Sequence, residues 1–331
     1  MGFLEVVHLQ TLEQLGWNSL LQDAVDALGV PGLVPARVTI EYKDRYRVRS
    51  TTGSQMVWPQ QGHLEQLPEE RAHVGDWVAL SDDRVHAILP RKTSLRRIAA
   101  GGRGIQVVAA NLDRVFLVTS MNRDFNVRRL ERYLVAICAG GIAPVVVLNK
   151  SDLQPRKHKR YLQKVRSIAE DFPVVITSAS LGDGLAELSD YLGAGQTVGF
   201  VGSSGVGKSS LINCLLKEDV QDVRPIRAHD ERGLHTTTHR ELFLLPDNQG
   251  VLVDTPGMRE LRLSDSAGLA MVFGDIEDLA EKCRWRDCRH GSDEGCAIQA
   301  ALADGTLSQA RWWSYQKLIA EIEEMTPKHL R

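Results

Sequence analysis

The sequence predicts a multidomain chain: an N-terminal β-barrel of the OB-fold type, a central α/β domain with a parallel sheet, and a helical metal-binding region at the C-terminal end. Three observations predict it. Apolar residues alternate with period two between Ala36 and Leu89, strand-like and helix-like segments alternate from Arg114 to Val253, and three of the five cysteines fall between Cys283 and Cys296. The expected boundaries are 1–35 for a helical extension, 36–100 for the barrel, 101–266 for the α/β domain and 267–331 for the helical tail. With 43% hydrophobic and 25% charged residues over 331 positions, the chain can fill two or three cores, which excludes a disordered protein. No apolar run reaches the roughly 18 residues of a membrane span, and Met1 to Gln10 lack a basic region followed by an apolar one, so a cytoplasmic chain without membrane attachment is expected. A formal net charge of -2 leaves any RNA contact to local basic patches.

Taken in order, residues 11–29 place Leu12, Leu15, Leu20, Leu21, Val25 and Leu28 near helical spacing, predicting a short amphipathic helix. Strand signals follow at Val38, Ile40 and Tyr42, at Tyr46 and Val48, at Trp77, Val78 and Leu80, and at Val85, Ala87 and Leu89. Their number and length suit a five-stranded OB-like barrel, although an SH3-like one has the same signals. Pro90 to Gly104, with Arg91, Lys92, Arg96, Arg97 and Arg103, reads as a linker that is either a solvated hinge or an RNA contact. Strands are then expected at Arg114–Thr119, Pro144–Leu148, Pro173–Thr177, Thr197–Val201 and Gly250–Val253, with helices at Val127–Ala139 and in the basic stretch before Pro173. After Ala267 only helices are expected.

The strand Thr197–Val201 runs into Gly202-Ser203-Ser204-Gly205-Val206-Gly207-Lys208-Ser209-Ser210 and then into periodic Leu211, Ile212, Leu215 and Leu216. This is a P-loop in its required context of strand, loop and helix. The glycines let backbone amides turn toward phosphate oxygens, Lys208 supplies a point charge, and the Ser209 hydroxyl can ligate magnesium. A glycine turn capping a helix would explain Gly202 and Gly207 but not the Lys208-Ser209 pair. Downstream, the apolar Val251-Leu252-Val253 ends in Asp254-Thr255-Pro256-Gly257, where Asp254 can hold magnesium through water and the Gly257 amide can sense a γ-phosphate.

Upstream, a strand delivers Asn149-Lys150-Ser151-Asp152. Asp152 can accept from N1 and N2 of guanine, donors that adenine lacks at those places, so GTP and GDP rather than ATP are the expected ligands. Thr177-Ser178-Ala179 is similar to the loop whose Ala179 amide meets the guanine O6. The order is rearranged: the base box at 149 precedes the P-loop at 202, and Asp254 comes last, a cyclic permutation of the usual order. Cys283-x4-Cys288-x-His290-x5-Cys296 supplies three thiolates and an imidazole, the donor set of a closed structural zinc site. Arg284, Arg286 and Arg289 among these ligands face either RNA phosphates or water, while Cys138 and Cys214 are expected to be buried apolar groups.

These motifs, with the run Arg232-Gly-Leu-His235-Thr236-Thr237-Thr238, resemble the RsgA family of ribosome small-subunit-dependent GTPases over nearly the whole chain. The stretch before the barrel is longer than that resemblance leads us to expect. The resemblance implies an OB-fold, a permuted GTPase domain and a zinc domain, with GTP hydrolysis stimulated by the small ribosomal subunit during its late maturation and rRNA as a partner; a monomer is expected. Thr237 is the expected switch ligand to magnesium beside Ser209, with Thr236 and Thr238 as alternatives. Met258 stands where Ras-like proteins place a water-orienting glutamine, so intrinsic turnover is expected to be slow, with His235 either supplying the missing polar group or packing on its loop. A GTP-dependent RNA-binding switch or scaffold with negligible hydrolysis is the alternative reading.

Overall fold

The computed structural model describes residues 11–60, 67–99, 104–217, 240–255, 263, 266–291 and 293–325. Gly257, His235, Thr236, Thr237, Thr238 and Met258 lie outside the described residues. Five strands open the fold: β1 (Val34–Glu41), β2 (Tyr46–Ser50), β3 (Gly53–Val57), β4 (Trp77–Ser81) and β5 (Arg84–Ile88). β1 pairs antiparallel with both β2 and β4, β2 with β3, and β4 with β5. A parallel bridge between Trp58 and Arg84 joins the end of β3 to β5, so the pairings return to their start in the order 1-2-3-5-4. Alternate side chains, Ala36, Val38, Val48, Val57, Val78 and Leu80, fill the space enclosed. β3 carries no apolar alternation, because Ser54 and Gln55 are exposed, and the period-two signal overlooked it.

Helix α1 (Ser19–Asp26) begins where Asn18 accepts a hydrogen bond from the Leu21 amide at 3.1 Å. Its apolar stripe is shared with the preceding turn: Leu12, Leu15 and Val25 are buried, but Leu20 points outward. Trp17 meets Trp77 edge to face, with ring centroids 4.8 Å apart. Beneath this contact the buried Arg37 donates to the carbonyls of Gly75, Leu15 and Asn111, which belong to three different parts of the chain.

The expected linker at Pro90–Gly104 is instead largely structured. β6 (Ser94–Ile98) pairs antiparallel with β7 (Ile105–Ala110), and Arg91 is fixed by Asp76, whose carboxylate takes Nε and Nη2 at 2.8 Å. Of the arginines that suggested a linker, Arg96 and Arg97 sit on a strand whose Leu95 is buried, so composition hid the pleat.

The α/β domain follows with β8 (Arg114–Ser120), α2 (Val127–Ala139), β9 (Ala143–Asn149), α3 (His158–Arg166), β10 (Val174–Ile176), α4 (Leu185–Ser189), β11 (Thr197–Val201), α5 (Lys208–Leu216), β12 (Glu241–Leu244) and β13 (Val251–Asp254). In space the order is β10-β9-β8-β11-β13-β12, parallel except for β12, which runs antiparallel to β13. Successive residues of β8 enter two cores: Val115 and Leu117 lie with Leu134 of α2, Phe116 and Val118 with Leu211 and Ile212 of α5. Burial on both faces explains the unbroken apolar runs of these strands. β12 also pairs with β1 through Ile40 and Glu241, so one sheet runs from the α/β domain into the first strands.

Helices α6 (Leu269–Val272), α7 (Gly274–Ala280), α8 (Ala297–Asp304) and α9 (Gln309–Met325) complete the described chain. α6 packs on α2, α7 lies against α6 and α8, and α9 is tied to α2 by charge: Arg311 reaches Glu131 at 3.2 Å, and Arg132 reaches Glu321 at 2.7 Å. Among the described residues, no helix is long and apolar enough to cross a membrane.

Candidate nucleotide site and metal centre

Parallel strands open their C-terminal ends on one edge of the sheet, the usual location of ligand sites in such folds. Here β8, β9, β10, β11 and β13 all end at that edge, which gathers motifs distant in sequence. Gly207, at φ 101°, is in a conformation that suits glycine, and a Cβ there would lie 2.3 Å from Nδ2 of Asn149. The loop and the base box are therefore in contact, and hydrogen bonds join them. Asn149 donates from Nδ2 to the Val206 carbonyl at 2.9 Å, while its Oδ1 accepts from the Thr177 hydroxyl at 3.1 Å and the Ala179 amide at 3.3 Å. Lys150, left-handed at φ 61°, donates to the Gly205 carbonyl at 2.6 Å.

Asp152 stands at the rim, and its Oδ1 accepts from the Ser178 hydroxyl at 2.6 Å. Ser151 is buried and its carbonyl meets His158 Nε2 at 2.9 Å. These groups border a cleft of about 780 Å³, whose walls include Asp152, Ala179, Gly207, Ser210 and Cys214. The volume and the convergent polar groups suit a nucleotide. Cys214 is half-buried on this wall rather than a core residue, whereas Cys138 is buried as expected and burial pushes its thiol up to about 12.

At the phosphate end, Lys208 begins α5 and folds back to donate to the carbonyls of Gly202 and Ser203, each at 3.0 Å. Burial lowers its ammonium to about 8, and the neighbouring Asp254 carboxylate opposes that shift. Asp254 is buried at the end of β13, next to the P-loop strand, and the Thr255 hydroxyl ties the two strands by donating to the Phe200 carbonyl at 2.5 Å. Ser204 and Gly205 at the loop tip are exposed, Val206 is buried beneath it, and Ser209 is half-buried in the first turn of α5.

Two residues at this end have no motif to announce them. Arg129 of α2 donates to the Ser203 hydroxyl and pairs with Asp124 at 3.1 Å, and Tyr133, one turn on, also hydrogen-bonds Ser203. Only the packing of α2 across β8 and β9, beside the P-loop, brings them there.

The cysteine cluster forms a separate site. Sγ of Cys283, Cys288 and Cys296 and a ring nitrogen of His290 all lie within 4.8 Å of one another. Nδ1 of His290 is 3.5 Å from Cys283 and 3.7 Å from Cys296, and these two sulfurs are 4.0 Å apart. A tetrahedral zinc with bonds of about 2.0–2.3 Å sets its ligands roughly 3.5–3.8 Å apart, so the arrangement fits that ion. Around it, Gln299 Nε2 donates to the His290 carbonyl at 2.6 Å, and the His290 ring meets Trp312 edge to face.

A sheet with the P-loop on a central strand, reached only after the base box has been made, is the arrangement that a cyclic shift of the chain produces. A model of the RsgA GTPase family matches residues 88–264, more than half of the chain. The chain is 44% identical to the small ribosomal subunit biogenesis GTPase RsgA of Opitutus terrae, over 94% of this chain and 89% of that protein. The chain belongs to the RsgA GTPase family. A relative of the same name from Methanosarcina acetivorans is also 44% identical, over 95% of this chain and 86% of that one. Among solved structures, YjeQ of Thermotoga maritima aligns with a TM-score of 0.64 at 26% identity, over 88% of this chain and 98% of that one. YloQ, described as a circularly permuted GTPase, aligns at 0.59 and 24%, over 90% and 98%, and supports the fold.

Proposed function

We propose that this GTPase binds the small ribosomal subunit and hydrolyses GTP to assist its late maturation, with the subunit stimulating turnover. The observation that carries the reading is the Asn149 carboxamide, which joins the base box, the P-loop and the Thr177–Ala179 loop around one nucleotide-sized cleft. The curated relatives named for small-subunit biogenesis supply the partner.

In this reading Asp152 accepts from guanine, the Ala179 amide meets its O6, and Asn149, Lys150, Ser151 and Ser178 hold the walls of the base site. The backbone from Gly202 to Ser210 surrounds the phosphates and Lys208 leaves its two carbonyls for the terminal oxygens. Ser209, Thr237 and Asp254 would hold magnesium, which supplies charge neutralisation at the phosphates. Gly257 reads the γ-phosphate and His235 orients water. Catalysis rests on positioning and electrostatics rather than on a covalent intermediate. The five-stranded ring is an OB-type barrel facing rRNA, the cysteine cluster holds one structural zinc, and the protein acts as a monomer in the cytoplasm.

The test is GTP turnover with and without purified small subunits, with ATP as control. Strong stimulation of GTP turnover alone is expected. Tight GTP binding without stimulated turnover would favour the switch or scaffold reading, and equal use of ATP would overturn the base assignment.

A further inference from the structure

Helix α9 carries two consecutive tryptophans with opposite fates. Trp312 is buried against Tyr315, whereas Trp313 is 43% exposed. A single exposed indole is common by itself, and what sets this one apart is its setting. Trp313 is flanked by two cations from different elements: the guanidinium carbon of Arg128, on α2, lies 3.9 Å from its ring centroid, and Nζ of Lys317, one turn further along α9, lies 4.9 Å away.

The charges around it are sorted in a telling way. Glu131, which borders this groove, is already paired with Arg311, and the groove's arginines Arg129 and Arg132 are paired with Asp124 and Glu321. Glu131 also feels Arg128, three residues before it on α2. Arg128 and Lys317 are both exposed, and among the described residues neither is in an ion pair. The groove between α2 and α9 holds about 250 Å³ and also borders Asn126 and Ser314. It therefore offers two unspent positive charges, a flat guanidinium held over an indole, and hydroxyl and amide groups beside them.

We infer that this groove is an RNA-contacting surface, in which an unpaired base stacks on the Arg128–Trp313 platform while Lys317 and the guanidinium edge meet the adjoining phosphates. Arginine planes and indoles are the surfaces on which unstacked RNA bases rest, and stacking tolerates any base. An acidic protein segment would match the charges but has no use for a pre-stacked plane. The inference rests on the ribosomal reading above and names a surface for it. Arg129, the residue next to Arg128, borders this groove and also touches Ser203 of the P-loop, so the groove and the phosphate site share a side chain.

The test compares the wild type with Trp313→Ala, Arg128→Lys and the double variant Arg128→Ala/Lys317→Ala, binding both intact small subunits and protein-free small-subunit rRNA. Metal content and GDP affinity should match the wild type in every variant, since none of these residues belongs to either site. Trp313→Ala is expected to weaken binding to both probes about tenfold. The double variant should also flatten the plot of log affinity against log salt by roughly one to two, while Arg128→Lys keeps the slope and loses only the stacking contribution. Unchanged affinity of Trp313→Ala and the double variant for protein-free rRNA overturns the inference, and loss confined to intact subunits assigns the groove to a protein instead. If the wild type binds neither probe, the ribosomal reading itself fails and this surface fails with it.

Discussion

Asn149 and Val206, 57 positions apart, are joined by a 2.9 Å hydrogen bond from the carboxamide Nδ2 to the backbone carbonyl. The same side chain accepts from Thr177 and Ala179, so it is a buried three-way brace among loops that must surround one ligand. Asn149→Ala leaves a carbonyl, a hydroxyl and an amide without this partner, and losing such a buried partner costs about 1–3 kcal/mol. GDP affinity, measured with a fluorescent analogue, should fall about 10- to 100-fold, with a lower thermal midpoint in the nucleotide-free protein.

Asp152 is restrained from one side by Ser178 and leaves its second oxygen toward the cleft. Asp152→Ala should reduce GTP affinity by roughly 100-fold while leaving the weak affinity for ATP almost unchanged, since only guanine loses a partner. Competition between the two nucleotides measures this directly, and a parallel loss for both would point to collapse of the loop instead.

Lys208 gives a pH signature. Burial holds its folded-state value near 8, below the ordinary lysine value of 10.5. Below pH 8 the free protein already carries the proton; above it the ammonium is increasingly neutral. Phosphates favour the charged form, so binding GDP above pH 8 should draw a proton from solution and weaken as pH climbs toward 10. Calorimetry in buffers of different ionisation enthalpy reads the proton uptake. The sign for folding is opposite: because the unfolded chain binds more protons between pH 8 and 10.5, the cost of burying this ammonium is relieved as pH rises through that window.

Removing metal should unfold the C-terminal end locally rather than globally. The cluster closes the chain between Cys283 and Cys296, while α9 is tied independently to α2 by Arg132–Glu321 and Arg311–Glu131. A strong zinc chelator, or Cys283→Ser, should release one equivalent of zinc and expose the remaining ligand thiols to a thiol reagent. Nucleotide affinity should change less than threefold, as checked by metal analysis and a binding titration.

Arg37 is the counterpart at the N-terminal end. Its guanidinium, buried and lowered to about 10 by that burial, satisfies carbonyls of the N-terminal turn, the first strands and the α/β domain. Arg37→Met keeps the volume and orphans those carbonyls, so unfolding should become easier by about 3–5 kcal/mol. A denaturant titration measures it, and a change below 1 kcal/mol would remove Arg37 as the clamp between these parts.

Much of this was legible before any coordinates. The P-loop, the base box and the cysteine set are contiguous in sequence, and the strands of the central sheet are apolar on both faces, so short-range spacing reports them. What escaped depends on partners far along the chain. β6 carries Arg96 and Arg97, and its basic composition reads as a linker, either solvated hinge or RNA contact, although Ser94 and Leu95 are buried. Arg129 and Tyr133 occupy ordinary helical positions, and only the meeting of α2 with the P-loop gives them a role. Cys214 has the composition of a core residue and lines the cleft instead.

The strand order also separates near from far along the chain. β8, β9 and β10 are consecutive in sequence and adjacent in the sheet, so the strand ends that lead to Asn149 and Thr177 pair without any part of the P-loop segment. β11 must then add to the open side of β8, and β13 to the far side of β11. The Asn149 brace nevertheless stays incomplete without the Val206 carbonyl, 57 positions further along. A fragment that ends between Ala179 and Val206 is thus left with a brace open on one side.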